Sequence, residues 1–98
     1  MNCTYISGPM TGIPEFNFPA FNAKADELRA VGLRVINPAE HDMPEDTPWG
    51  VYLRKDIRIL MDCDSIYMLP GWSKSKGARL EHHIACELSM AVIYGAPE

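Results

Sequence analysis

An α/β domain, a small parallel sheet with helices on both faces, is the fold class this sequence predicts, in the order β-α-β-α-β-α-β. Two observations carry that prediction. Four short runs rich in β-formers stand at 3–7 (CTYIS), 33–37 (LRVIN), 65–69 (SIYML) and 91–94 (AVIY). Between them lie three longer stretches whose apolar residues recur at helical spacing. The 98 residues suffice for one such domain, spanning 1–98, with a single modest core.

The elements follow in order. The first strand is stopped by Gly8-Pro9, and residues 8–19, with three prolines and two glycines, read as a long loop. From Ala20 a helix is predicted with Phe21, Ala25, Leu28 and Val31 on its inner face and Gly32 as its stop. The second strand ends at Pro38, and an acidic loop containing His41 runs over 38–46. Thr47 is expected as the N-cap and Pro48 as the first residue of the next helix, whose stripe is Trp49, Leu53, Ile57 and Leu60. Arg54, Lys55 and Arg58 face water in this arrangement. Pro70-Gly71 closes the third strand, Ser75 is placed to cap the last helix, and Leu80, Ile84 and Leu88 form that helix's stripe.

Composition excludes several function classes. A net charge of −4 gives no basic footprint, so a nucleic-acid polymer is not the expected partner, whereas a small nucleotide is compatible. No apolar run is long enough to span a bilayer, and the start meets Gly8-Pro9 before a secretory leader's apolar core could form. The three cysteines, Cys3, Cys63 and Cys86, lack C-x-x-C or zinc-type spacing, which points to reduced thiols in a cytoplasmic protein. His82 with Cys86 and His83 with Glu87 are one turn apart, but two ligands on one helix make no metal site, so neither metal nor cofactor is expected. A sheet this small leaves hydrophobic faces poorly covered, and a homo-oligomer is expected for that reason.

Parallel sheets bind ligands beyond the carboxyl ends of their strands, here the loops 8–19, 38–46 and 70–74. Two carboxylates near that edge break the expected polarity: Asp56 and Glu81 both border buried stripes. Each is either a rim carboxylate paired with a neighbour or a group with an upward-shifted pKa that chemistry can use. Gly8-Pro-Met-Thr-Gly12 lacks the G-x-G-x-x-G and GK[ST] phosphate patterns, and is either a ligand-contacting loop or a plain one. Trp72 either stacks on a ligand or covers the edge of the core, and His41 stands at the cleft rim or in solvent.

YISGPM at 5–10, Asp56 followed eight residues on by Asp64-Ser-Ile, and SKGARLE at 75–81 with Ala85 after it together resemble the nucleoside 2-deoxyribosyltransferase family. They are closer still to its short relatives in phage and bacterial genomes, and are similar to the 2′-deoxynucleoside 5′-phosphate N-hydrolases. The resemblance covers nearly the whole chain and implies a Rossmann/flavodoxin-like three-layer fold. It implies that Glu81 is the nucleophile at the anomeric carbon, that Asp56 contacts and protonates the leaving base, and that Tyr5 positions sugar and nucleophile. Ser7, Gly8, Pro9, Trp72, Ser75 and Gly77 would line the pocket, Gly77 and Ala78 leaving room for the sugar. The implied partner is a small-molecule nucleoside or nucleotide. Two departures stand out: Ser75 replaces an aspartate six residues before the nucleophile, and the segment beyond Glu98 that reaches a neighbour's site in longer members is expected to be lacking. A hydrolase, or a catalytically silent nucleotide-binding or interaction protein, therefore stands beside the transferase.

Overall fold

The computed structural model describes residues 3–41, 44 and 46–96. Asp42, Met43 and Glu45 of the acidic loop, and the chain ends at 1–2 and 97–98 on which the leader and C-terminal expectations bear, lie outside the described residues. Strands β1 (Thr4–Ser7), β2 (Val35–Ile36), β3 (Ser65–Met68) and β4 (Ala91–Tyr94) form one parallel sheet in the order β2-β1-β3-β4. Helices α1 (Phe18–Ala30), α2 (Trp49–Leu60) and α3 (Lys76–Glu87) connect them. The α/β class and the element order are those the sequence predicts.

Alternation along the strands sorts the core into two layers. Tyr5, Ile66 and Met68 pack with Leu60 of α2 and with Ala78 and Ala85 of α3. Ile6 and Tyr67 turn the other way and meet Phe21 and Ala25 of α1. The chain runs from β1 through α1 to β2 on one side, then crosses back through α2 to β3 on the other, so the winding reverses between the carboxyl ends of β1 and β3, the usual position of a ligand crevice in open α/β sheets.

Several boundaries differ from the sequence expectation for local reasons. Helix α1 begins at Phe18, two residues early, because Pro19 fits its first turn, where no N–H is required of it. Before it, Glu15, Phe16 and Asn17 all have positive φ (56, 53 and 62°), a left-handed turn that costs non-glycine residues about 1–2 kcal/mol each. Strand β2 shrinks to two residues because Leu33 donates its N–H to Leu28 and closes α1 instead of extending the sheet. Gly32, at φ +93°, ends that helix as expected. Pro48, with extended ψ, is the N-cap of α2; the Thr47 hydroxyl donates to the Pro44 carbonyl rather than capping.

Two helix faces are rotated from expectation. On α2 the buried residues are Leu53, Asp56 and Leu60, with Trp49 exposed beneath the Lys76 ammonium. On α3 they are Ala78, Glu81 and Ala85, while Leu80 and Leu88 are 40% and 57% exposed. Small alanines let α3 approach the sheet closely, which places Glu81 rather than a leucine against β1. Ser75 caps this helix as predicted, its hydroxyl accepting the Ala78 N–H at 3.2 Å.

Gly8 ends β1 under tight packing: a Cβ there would lie 2.8 Å from the Leu69 Cβ. Gly77 differs, since its Cβ would meet Leu53 at 3.6 Å and Trp49 at 3.9 Å, ordinary contact distances. Gly8→Ala is expected to lose about 1–3 kcal/mol through overpacking, seen as a Tm drop of roughly 4 °C or more. Gly77→Ala should hold or gain stability, because it relieves glycine's entropic cost in a helix without a clash. Thermal melts of the two variants check this pair.

Candidate active site

Tyr5 and Ser7 are two residues apart on β1, so both side chains leave the same face of the sheet. Opposite them α3 presents Glu81. The Tyr5 hydroxyl donates to Glu81 Oε2 at 2.6 Å and the Ser7 hydroxyl to Oε1 at 2.7 Å. Both carboxyl oxygens are thus held, and the side chain is only 5% exposed. Burial pushes its pKa up to about 7, the two donated hydrogen bonds pull against that shift, and the negative charge of Asp56 adds to it. The Tyr5 phenol is driven well above its ordinary value by burial and by Glu81 and Asp56, so it stays a protonated donor.

Asp56 enters from α2, buried with 7% exposure, its pKa raised to about 6 by desolvation against the opposing charge of Lys55. Its Oδ1 is buried with no hydrogen-bond partner among the described residues. With values near 6 for Asp56 and 7 for Glu81, the two carboxyls together hold about one proton just below neutrality, and it rests mainly on Glu81, the weaker acid. Ionised Glu81 beside protonated Asp56 is the minor arrangement of the singly protonated pair.

Both face a cavity of about 620 Å³ at the carboxyl end of β1, a volume suited to a small-molecule ligand. Of the residues singled out in the sequence, Tyr5, Ser7, Gly8, Asp56, Ser75, Gly77 and Glu81 line it. Trp72 does not: the turn at Trp72–Lys74 packs its indole on the His82 ring (4.2 Å between centroids) and near Tyr94 (6.0 Å), covering the core between α3 and β4. Pro9 is also outside the lining; it backs onto Gly71, and its carbonyl accepts the Asn17 side-chain amide at 3.0 Å. Gly77 is at the wall beside Leu53 and Trp49, and Ala78 is in the core. The Ser75 hydroxyl is engaged in capping α3.

The cavity also takes in residues not singled out one by one in the sequence, several of them within the 8–19 loop expected at the ligand edge. Met10, Thr11, Phe16 and Phe18 come from the proline-rich segment and the start of α1, Phe21 from within α1, and Tyr52 from α2. The place of the 8–19 loop after β1 and the phenylalanine density of FNFPAF are the signals for that wall. His41 lines the cavity as well. Among the described residues no group of three or more His, Cys, Asp or Glu side chains is placed to hold a metal ion, and no helix is long and apolar enough to cross a membrane.

Comparison with known proteins matches residues 2–94 to the family described as Domain of unknown function (DUF4406). No curated protein sequence matches. Among solved structures the fold is similar to a 2-desoxiribosyltransferase from Leishmania mexicana, with 17% identity and a TM-score of 0.72. The match covers 96% of this chain and 63% of that one, so this chain spans less than two thirds of that protein's length. The likeness shows a shared deoxyribosyltransferase-like α/β fold.

The raised carboxyl pKa of Glu81 has a signed consequence for stability. Unfolded, the group titrates near 4.5; folded, near 7. Between those values the folded chain keeps a proton that the unfolded chain has released, so stability falls as pH rises through that window, by on the order of 3 kcal/mol. Asp56, raised from 3.8 to about 6, works in the same direction. Glu81→Gln should flatten most of this dependence in denaturant melts run from pH 4.5 to 8. Tyr5→Phe, which removes a donor that lowers the Glu81 value, should push the Glu81 titration upward in carboxyl-resolved NMR.

Proposed function

This chain belongs to the DUF4406 family, and we propose that it cleaves or transfers at the N-glycosidic bond of 2′-deoxynucleosides or their 5′-monophosphates. One observation carries the proposal: a buried carboxylate gripped at both oxygens, beside a second buried carboxyl with an unpartnered oxygen, in one cavity of ligand size. The deoxynucleoside class itself rests on the resemblance in the motifs around Tyr5, Asp56 and Glu81, and the shared fold supports it.

In this reading Glu81 attacks C1′ of the sugar. The C1′–N bond breaks with its electron pair going to the base, and the protonated Asp56 gives its proton to that base. A covalent glycosyl ester on Glu81 results, with configuration inverted once. Water or a second base then attacks C1′ and the Glu81 carboxylate leaves, while Asp56 takes back the proton. Tyr5 and Ser7 hold the carboxylate in place and stabilise its charge as it departs. Without an aspartate at position 75, Asp56 bears the base protonation alone. No step requires a metal or cofactor.

The engaged Ser75 hydroxyl favours a second reading, a catalytically silent nucleotide-binding or interaction protein on the same scaffold. Exposed Leu80 and Leu88 on α3 and Val51 on α2 support a homo-oligomer, and the free thiols of Cys3, Cys63 and Cys86 support a cytoplasmic location.

Incubation with each deoxynucleoside and deoxynucleotide, with and without free base, followed by chromatography, is expected to show base release or exchange. Glu81→Ala should lower the rate by at least about 10³-fold, and Asp56→Asn by about 10²–10⁴-fold. Unchanged turnover in Glu81→Ala would remove the nucleophile assignment. The kcat/KM profile should be bell-shaped, with limbs near 6 and 7, since the active form carries one proton on the pair.

A further inference from the structure

The charged side chains that line the cavity are all carboxylates, namely Glu40, Asp56 and Glu81, and burial together with the Lys55 charge keeps His41 beside them neutral. No lysine or arginine is among the described residues of the lining. Neither type occurs at positions 1–2, 42–43, 45 or 97–98, so the residues outside the description cannot supply a side-chain cation of this kind.

Several positive groups stand near the cavity, and their charge is spent elsewhere or acts from outside the lining. The Arg29 guanidinium grips both oxygens of Glu40 at 2.7 and 2.8 Å and donates to the Val35 carbonyl at 3.0 Å, so it offsets the Glu40 charge and leaves no surplus. Lys76 sits over the Trp49 ring, 4.7 Å from its centroid. Lys55 acts on Asp56, yet desolvation outweighs it and that carboxyl still rises to about 6. The first turn of α3 reaches the wall at Ser75 and Gly77, but its Ala78 N–H is taken by the Ser75 hydroxyl. A helix end carries only about half a charge, and its field fades within a turn. What remains in the cavity is the Asp56–Glu81 pair, with about one negative charge near neutrality.

A nucleotide differs from its nucleoside by a phosphate on C5′, a few covalent bonds from C1′. With C1′ at Glu81, that phosphate falls well inside the screening length of about 8–10 Å. Burial there already disfavours negative charge, as both raised carboxyls show. A phosphate charge of roughly −1.5 to −2 would meet carboxylates with no cation in the lining to pair with it. It would also raise the Glu81 pKa further and keep the attacking carboxylate protonated for more of the time. A nucleoside brings no such charge, and its hydroxyls are donors that suit carboxylate oxygens.

We infer that the substrate of this site is the free 2′-deoxynucleoside, and that 5′-monophosphates are turned away by charge. The inference rests on the proposed function for the placement of the sugar. Because the barrier is electrostatic, a neutral group on the same 5′ oxygen passes it.

The test gives the wild-type protein a deoxynucleoside, its 5′-O-methyl ether and its 5′-monophosphate. The kcat/KM of the monophosphate is expected to lie about tenfold or more below that of the deoxynucleoside, with the methyl ether within about threefold of the parent. Thr11→Lys, which sets an ammonium at an exposed position of the lining, should narrow the nucleoside-to-monophosphate ratio by about threefold or more. Equal or faster turnover of the monophosphate overturns the inference. So does rejection of the methyl ether along with the phosphate, which would make the barrier one of size, and so does a ratio that Thr11→Lys leaves unmoved. Equilibrium binding of a carbocyclic deoxynucleoside and its 5′-monophosphate, which resist glycosidic cleavage, reads the same preference without turnover. Preference for the uncharged carbocycle with no cleavage of any substrate leaves the charge selection standing and removes the proposed reaction. Cleavage that favours monophosphates does the reverse, and absence of any binding removes both.

Discussion

The contact on which this structure turns is the clasp of Glu81 between Tyr5 and Ser7. A carboxylate at 5% exposure is costly to ionise, and an unpaired one would neutralise or pull its helix away from the sheet. Two short donated hydrogen bonds offset that cost and tie α3 to β1 at a defined height. Because Tyr5 and Ser7 alternate with Ile6, the same strand anchors the carboxylate on one face and the α1 core on the other. Fold and site are joined through a single four-residue strand.

Asp56 makes the clasp useful. Its negative charge raises the pKa of Glu81, and its own burial raises its own. Burial is the main cause for each group, and the Asp56 charge adds a smaller upward push on Glu81. The cavity over them opens where the sheet's winding reverses, and all three helices, the end of β1 and the segment after β2 contribute to it. The strained left-handed turn at Glu15–Asn17 lies at its mouth and directs Phe16 there at 58% exposure. Strain of that kind is found where a loop has a task beyond connection.

How much of this was legible in the sequence differs from residue to residue. The four strands and three helices could be read because period-2 and period-3.6 patterns, with proline and glycine stops, are local properties. Gly32 ended its helix and Ser75 capped the next for reasons confined to one turn. Glu81 and Asp56 stood out because a carboxylate beside an apolar stripe is an exception that the sequence displays. The α3 face was misjudged, since Leu80-Ile84-Leu88 and Ala78-Glu81-Ala85 have the same period, and only the close approach of the sheet selects the alanines. Trp72 and Pro9 follow strands that do lead to the cavity, yet local turns send them to the core and to Gly71.

The sequence by itself determined the α/β class, the element order, the Ser75 cap, the Gly32 stop and the identity of two anomalous carboxylates, all of which depend on neighbours within a few positions. The tertiary structure alone decided that Tyr5 and Ser7 grip Glu81 across 76 and 74 residues of chain, and that His41 and the phenylalanines share its cavity. Such meetings are set by strand order and by which helix face the sheet admits. Neither quantity is encoded in any short window of residues.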